Sequence, residues 1–134
     1  MKKKLLSVIV QEYKQGITIK RDLESIDKVL KKGLKDCDYE IICVVDGMVD
    51  NTFRHAQKVS SKRVKVVGYE HNKGKGYAVR YGIARSRGDL VSFLDSGMDI
   101  SPKGIMMLMA HMEWYDAEII IGTKRHPVSR VNYP

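Results

Sequence analysis

Short apolar runs alternate along this chain with longer segments in which apolar residues recur at every third or fourth position. Residues 5–10 (LLSVIV) form a β-branched run that reads as a buried strand. Ile19, Leu23, Ile26, Leu30 and Leu34 then mark one face of a helix that Gly33 or the residues after it terminate. Residues 39–45 (YEIICVV) are apolar on both faces, the pattern of a strand in a parallel sheet covered by helices. Asp50 and Thr52 are placed to cap a helix running to about Ser60, and residues 64–69 supply a third, shorter strand. A helix from about Lys75 to Arg87 is broken by Gly88-Asp89 before a fourth strand over residues 90–94. Ser101 and Pro102 open another helix, with Ser101 as N-cap and Pro102 at the first position, and residues 117–121 read as a fifth buried strand. Five strands joined by helices predict an α/β fold, a doubly wound, mainly parallel sheet with helices on both faces.

Composition narrows this picture without changing it. At 134 residues the chain has the length of one domain, enough to bury about two thirds of its unfolded surface. Hydrophobic residues at 43% and charged residues at 30% argue for a folded globular chain rather than a disordered one. The balance of 24 Lys and Arg against 16 Asp and Glu gives a formal charge of +8, which favours polyanionic partners. Cys37 and Cys43 do not suggest a disulfide framework, so a reducing, cytoplasmic setting is expected. The basic start followed by residues 5–10 superficially suggests a secretion signal, but the apolar run is too short and strand-like for one.

In doubly wound sheets ligands bind beyond the carboxyl ends of the strands, and three polar sites fall there. Asp46 ends the second strand, where it either closes a turn or accepts hydrogen bonds from a base or ribose; Asp50 and Thr52 read as helix caps. After the third strand, Asn72-Lys73-Gly74-Lys75-Gly76 opens a helix as a phosphate loop would, though it matches neither the Walker nor the GxGxxG pattern. Arg80, one turn inside that helix, either reaches back to the ligand or joins a helix-face salt bridge. Asp95 and Asp99 carry the sharpest chemistry: two carboxylates at a strand end suit Mg2+ or Mn2+, which bridge diphosphate oxygens. The helix holding His111 and Trp114 among Met106, Met107, Met109 and Met112 reads as core or interface, and no zinc spacing or nucleophile triad appears.

Taken together, SVIVQEYKQG, VVDGMVDNT, HNKGKGYAVRYGIARSRGDLVSFLDSGMDISP and AEIIIGTKR resemble, in order and spacing, the motifs of family 2 glycosyltransferases of the GT-A fold. The polyprenyl-phosphate (dolichyl-phosphate) mannose and glucose synthase branch is the most similar. The resemblance implies that Gln11, Glu12, Tyr13 and Asp46 hold the base and ribose of a GDP- or UDP-linked sugar, that Lys73, Gly74, Gly76 and Arg80 lie near the nucleotide, and that Asp95 begins the metal-binding Asp-X-Asp motif. This sequence departs from the pattern in having Gly97 at the second aspartate, which leaves Asp99 as the nearby substitute. Residues 1–134 then correspond to the donor-binding half, without the acceptor-binding part.

The activity so implied is transfer of a sugar to an acceptor, with a polyprenyl phosphate favoured because no carboxylate downstream of Asp99 sits in an evident general-base motif. The basic segment 124–130 would attract such an acceptor or a membrane surface, consistent with a peripheral place at the cytoplasmic membrane face. Self-association through apolar surface near the Met-rich helix is also expected. The competing reading is a non-catalytic basic α/β module that binds nucleotide or RNA. The scarcity of aromatics interleaved with the basic residues argues against nucleic acid.

Overall fold

The computed structural model describes residues 3–13, 16–48, 50–95 and 101–122. Its elements run β1 (Lys4–Glu12), α1 (Ile19–Gly33), β2 (Cys37–Asp46), α2 (Thr52–Gln57), β3 (Val64–Tyr69), α3 (Lys75–Ala84), β4 (Leu90–Asp95) and α4 (Gly104–Trp114). The chain divides into two compact units, Met1–Lys103 and Gly104–Pro134. The first holds one four-stranded sheet of order β3-β2-β1-β4, parallel at every pairing.

The two inner strands are the most apolar, as a sheet covered on both faces requires. Val8, Ile9 and Val10 of β1 and the run from Ile41 to Val45 of β2 are fully buried. Alternation along β2 assigns the helices to faces. Tyr39, on the face shared with Ile41, Cys43 and Val45, donates its hydroxyl to the Asp27 carboxylate (2.6 Å) and carbonyl (3.0 Å) of α1. On the opposite face Ile42 and Val44 form a core cluster with Ile9 of β1 and Ala78 of α3, flanked by Val67, Tyr69 and Tyr81. The sheet therefore carries α1 on one face and α3 on the other.

Each helix owes its seat to its sequence spacing. Ile19, Leu23, Ile26 and Leu30 are the fully buried stripe of α1. In α3 the small residues Ala78 and Gly82 let the backbone approach the sheet: a Cβ on Gly82 would stand 2.5 Å from Ile9 Cγ2 and 2.9 Å from Val44 Cγ2. Ahead of α2, Asp50 accepts the Thr52 amide at 2.9 Å and the Thr52 hydroxyl in an Asx turn, but the N-cap position is Asn51, which makes no side-chain cap hydrogen bond, and Thr52 is the first helical residue.

At the amino end of the sheet a buried polar network fixes the turn after α3. The Ser7 hydroxyl donates to Glu40 Oε2 (2.6 Å) and accepts the Gly88 amide (2.8 Å), while the Arg87 amide also donates to Glu40 Oε2 (2.7 Å). Ser7 and Glu40 face each other in the β1–β2 register. Asp89 completes the closure, its carboxylate accepting the Leu5 amide (2.9 Å) and its own amide donating to the Leu5 carbonyl (2.8 Å).

Four of the predicted elements need correction. Residues 117–121 form no strand; they pair with no strand among the described residues, and Ile119 and Ile121 are largely exposed. A strand is defined by its neighbour's hydrogen bonds, and apolar content alone does not supply one. Helix α3 stops at Ala84, before Arg87, because Arg85 and Ser86 turn back onto the Gly82 and Ile83 carbonyls and the Glu40 network captures the Arg87 amide. Likewise α2 ends at Gln57, before Ser60, and α4 begins at Gly104 because the Ser101 hydroxyl accepts the Lys103 amide in a turn ahead of the helix. The second unit closes α4 with a Schellman arrangement: the Ala117 amide donates to the Met112 carbonyl and the Asp116 amide to that of Glu113, with Asp116 at φ 50°.

Replacing Gly82 by Ala is expected to lower the unfolding free energy by about 1–3 kcal/mol through overpacking, whereas Gly76→Ala in the same helix meets open space and costs nothing in packing; urea titrations of the two variants compare them directly. Burial raises the Glu40 pKa, but hydrogen bonds from Ser7 and the Arg87 amide, with the Arg87 guanidinium nearby, hold it below the ordinary glutamate value. Its ionised form thus stabilises the fold fully above the unfolded pKa of about 4.3, and that contribution is lost as pH falls through the depressed folded value. Glu40→Gln is expected to cost about 1–3 kcal/mol at neutral pH, with the gap to wild type narrowing in strongly acidic solution.

Candidate functional site

Because every strand runs the same way, the carboxyl ends of β1, β2, β3 and β4 share one rim, at Glu12, Asp46, Tyr69 and Asp95. From β1 the chain adds β2 and β3 on one side and then returns to place β4 on the other. The sheet therefore switches direction between β1 and β4, where a ligand crevice forms in such folds. At that switch point Gln11 is in register with Asp95. Gln11 is half-buried and Tyr13, just beyond the strand, is partly exposed. Glu12 between them is fully buried on the α1 face; burial, with the charge of Glu12 added, pushes the Cys43 thiol well up. The structure brings Gln11, Glu12, Tyr13 and the Asp95 backbone together. Asp99, the other expected metal ligand, lies outside the described residues, as do Ser96, Gly97 and the basic segment 124–130.

The most heavily bonded side chain on the rim is Asp46, at 1% exposure. Its Oδ1 accepts the Tyr69 hydroxyl (2.6 Å) and the Lys73 amide (2.8 Å); its Oδ2 accepts Asn72 Nδ2 (3.0 Å) and the Gly74 amide (3.1 Å). Asn72 Nδ2 also reaches the Asp46 carbonyl at 3.3 Å, and the Met48 amide donates to the Glu70 carbonyl at 3.0 Å. Gly47 makes this approach possible: its φ of 95° is left-handed, and a Cβ there would come within 2.9 Å of the Asn72 nitrogen. Burial, together with the Asp46 carboxylate it serves, pushes the Tyr69 hydroxyl pKa well above the usual tyrosine range, so it remains a donor.

Helix α3 begins where this loop ends. Gly74 is its N-cap at φ 92°, and the Ala78 amide closes the first turn on the Gly74 carbonyl (3.0 Å). Lys73 Nζ lies over the Tyr77 ring at 4.7 Å, and Tyr77 and Tyr81 each sit 5.0 Å from Tyr69, so the loop's lysine rests on an aromatic cluster anchored to β3. Arg80 is exposed, and among the described residues no hydrogen bond or ion pair ties it to the rim. Lys73, Gly74 and Gly76 thus stand at the rim beside Asp46, with Arg80 a turn away.

Sequence reasoning missed Tyr69, and it read Asn72 as part of a phosphate loop rather than as a partner of Asp46. The signal for Tyr69 was its position as a polar-tipped residue ending a strand whose register places it beside Asp46. Among the described residues no group of three or more His, Cys, Asp or Glu side chains could hold a metal ion.

Residues 7–132 match the model of the family described as Glycosyl transferase family 2. The dolichyl-phosphate beta-glucosyltransferase of Mus musculus is 36% identical over 101 residues, covering 69% of this chain and 31% of that protein. Two solved structures superpose with a TM-score of 0.62: the mannosyltransferase PcManGT from Pyrobaculum calidifontis in complex with GDP-Man and Mn2+ (18% identity, 80% of this chain, 33% of that one), and glucosyl-3-phosphoglycerate synthase from Mycobacterium tuberculosis in complex with Mn2+, UDP and phosphoglyceric acid (24%, 81% and 39%). These likenesses show a shared GT-A fold. The chain spans about a third of the length of the curated relatives it matches. With the all-parallel sheet, the switch point between β1 and β4 and the glycine loop after β3 in place, the chain belongs to glycosyl transferase family 2.

Proposed function

We propose that this chain is the donor-binding part of a glycosyltransferase that takes a sugar from a GDP- or UDP-linked donor and delivers it to a polyprenyl phosphate. The observation that carries the reading is the meeting of Gln11 and Asp95 at the sheet's switch point, one strand from the glycine loop, in a member of this family. Gln11 and Tyr13 are the members of the nucleoside-binding set with accessible surface; Glu12 and Asp46 lie buried behind them. Lys73, Gly76 and Arg80 provide positive charge and open backbone where the diphosphate would lie. Asp95, whose backbone ends β4, and Asp99 are of the residue type that would hold Mn2+ or Mg2+; the Mn2+ in both similar structures supports this. Such an ion would offset the charge that develops on the departing nucleoside diphosphate.

In the transfer itself an acceptor oxygen attacks the anomeric carbon as the bond from that carbon to the β-phosphate oxygen breaks, the electron pair leaving with the diphosphate. Lys73 at the loop would stabilise that charge. A lipid phosphate is already an oxyanion and needs no general base, and the name of the mouse relative supports that acceptor. The +8 charge favours a place at an anionic, cytoplasmic membrane face. No helix among the described residues is long and apolar enough to cross a membrane.

Calorimetric titration of the chain with GDP and UDP, with and without Mn2+, tests this reading. Binding is expected to strengthen at least tenfold with the ion, and Asp95→Ala is expected to remove that dependence. Tight RNA binding that ignores Asp95→Ala, with no nucleotide binding, would instead identify a basic nucleic-acid module.

A further inference from the structure

We infer that Asn72 is an exchangeable cap on Asp46: its side-chain amide occupies the place of a donor group of the nucleoside and swings out when that group arrives. The inference rests on the donor-site reading above, in which Asp46 belongs to the nucleoside-binding set. An ionised carboxylate has about four acceptor directions. At Asp46 these are met by the Tyr69 hydroxyl, Asn72 Nδ2 and the Lys73 and Gly74 amides, and the side chain is closed off from solvent. A base N–H or ribose hydroxyl therefore reaches the carboxylate by displacing one of these donors.

The other donors are held by more than Asp46. The Lys73 and Gly74 amides belong to a loop strapped by the bond from the Met48 amide to the Glu70 carbonyl and packed backbone to backbone over Gly47. That loop ends in the N-cap of α3, where the Ala78 amide closes on the Gly74 carbonyl. The Tyr69 ring is packed against Tyr77 and Tyr81, each at 5.0 Å, and its hydroxyl makes the shortest of the bonds to Asp46, 2.6 Å. Asn72 differs. It is exposed, and among the described residues its side-chain nitrogen donates only to Asp46, at 3.0 Å to Oδ2 and 3.3 Å to the carbonyl. Rotation of this side chain frees an acceptor direction while the backbone of Asn72 stays in place over Gly47.

The exchange conserves the hydrogen bonding of a buried charge. Asp46 ends with as many donors as it began with, and the displaced amide turns to solvent. A ligand edge bearing only acceptors would leave the buried carboxylate short of a partner, so the cap makes Asp46 selective for a ligand that brings an N–H or O–H to this place. Inorganic pyrophosphate has no nucleoside and does not call on the exchange.

The test titrates the full chain, as wild type and as Asn72→Ala, with GDP, UDP and pyrophosphate, each with Mg2+, and follows the Asn72 side-chain amide by NMR. Saturating nucleotide is expected to speed hydrogen exchange of that amide about tenfold or more, and pyrophosphate to leave it unchanged. With the competing donor removed, Asn72→Ala is expected to bind nucleotide about threefold tighter or more, with pyrophosphate affinity unchanged. If Asn72→Ala fails to fold, the behaviour of the wild-type side-chain amide decides alone. Nucleotide binding that leaves this amide protected would overturn the inference. So would an Asn72→Ala chain that binds nucleotide no tighter than wild type, which would make Asn72 a support or a direct contact rather than a cap. A wild-type chain that binds pyrophosphate but neither nucleotide would overturn the nucleoside role of Asp46, and one that binds no probe would overturn the donor-site reading. The cap fails by itself only where nucleotide binds and Asn72 stays in place.

Discussion

Strand β1 is the constraint on which the rest of the first unit depends. It is hydrogen-bonded on both sides, to β2 from Lys4↔Cys37 to Glu12↔Val45 and to β4 from Leu6↔Leu90 to Gln11↔Asp95. Because side chains alternate, a slip of one residue on either side would exchange the core-facing set for its opposite face. The run from Val8 to Val10 is apolar on both faces, so the register is marked there by the Ser7–Glu40 pair, a polar lock in which each would lie buried without the other. The same register brings Gln11 level with Asp95. Correct packing of the core and assembly of the rim are thus one event.

Charge is distributed less evenly than the sequence total indicates. Glu12, Glu40 and Asp46 are buried, and Glu40 and Asp46 are occupied by hydrogen bonds from neighbouring chain segments. Their negative charge is spent inside the molecule. The solvent-facing surface is more basic than the formal +8 suggests, and Lys73, Lys75, Arg80 and Arg85 display that excess along and just before α3. Anions approaching the rim meet this field before they meet any particular donor.

The architecture was legible from residue pattern where pattern and pairing agree. Residues 64–69 were bounded correctly because turn-forming and charged residues flank an apolar run, and the stripe of α1 followed directly from its spacing. Residues 117–121 have the same apolar signature yet form no strand, because a ladder needs a partner that local sequence cannot supply. In the site, the positions of Gln11, Asp46, Lys73 and Asp95 were legible as ends of elements, since the rim follows from topology. The occupation of Asp46 was not: it depends on Tyr69 and Asn72, which the β2–β3 register and the loop bring close despite their separation along the chain. Glu40 was visible as a charge in an apolar strand, but Ser7 and the turn at Arg87 and Gly88 that satisfy it were not.

The bonds between Leu5 and Asp89 join residues 84 apart in sequence, and β4 pairs with nothing described except β1. During synthesis, β1 therefore leaves the ribosome with one edge that nothing can cover until β4 has followed. Through that interval a strand centred on Val8, Ile9 and Val10 presents open backbone donors and acceptors beside strongly apolar side chains. The nascent chain's exposure to mispairing is set by the distance from β1 to β4, and it ends only when the switch point closes.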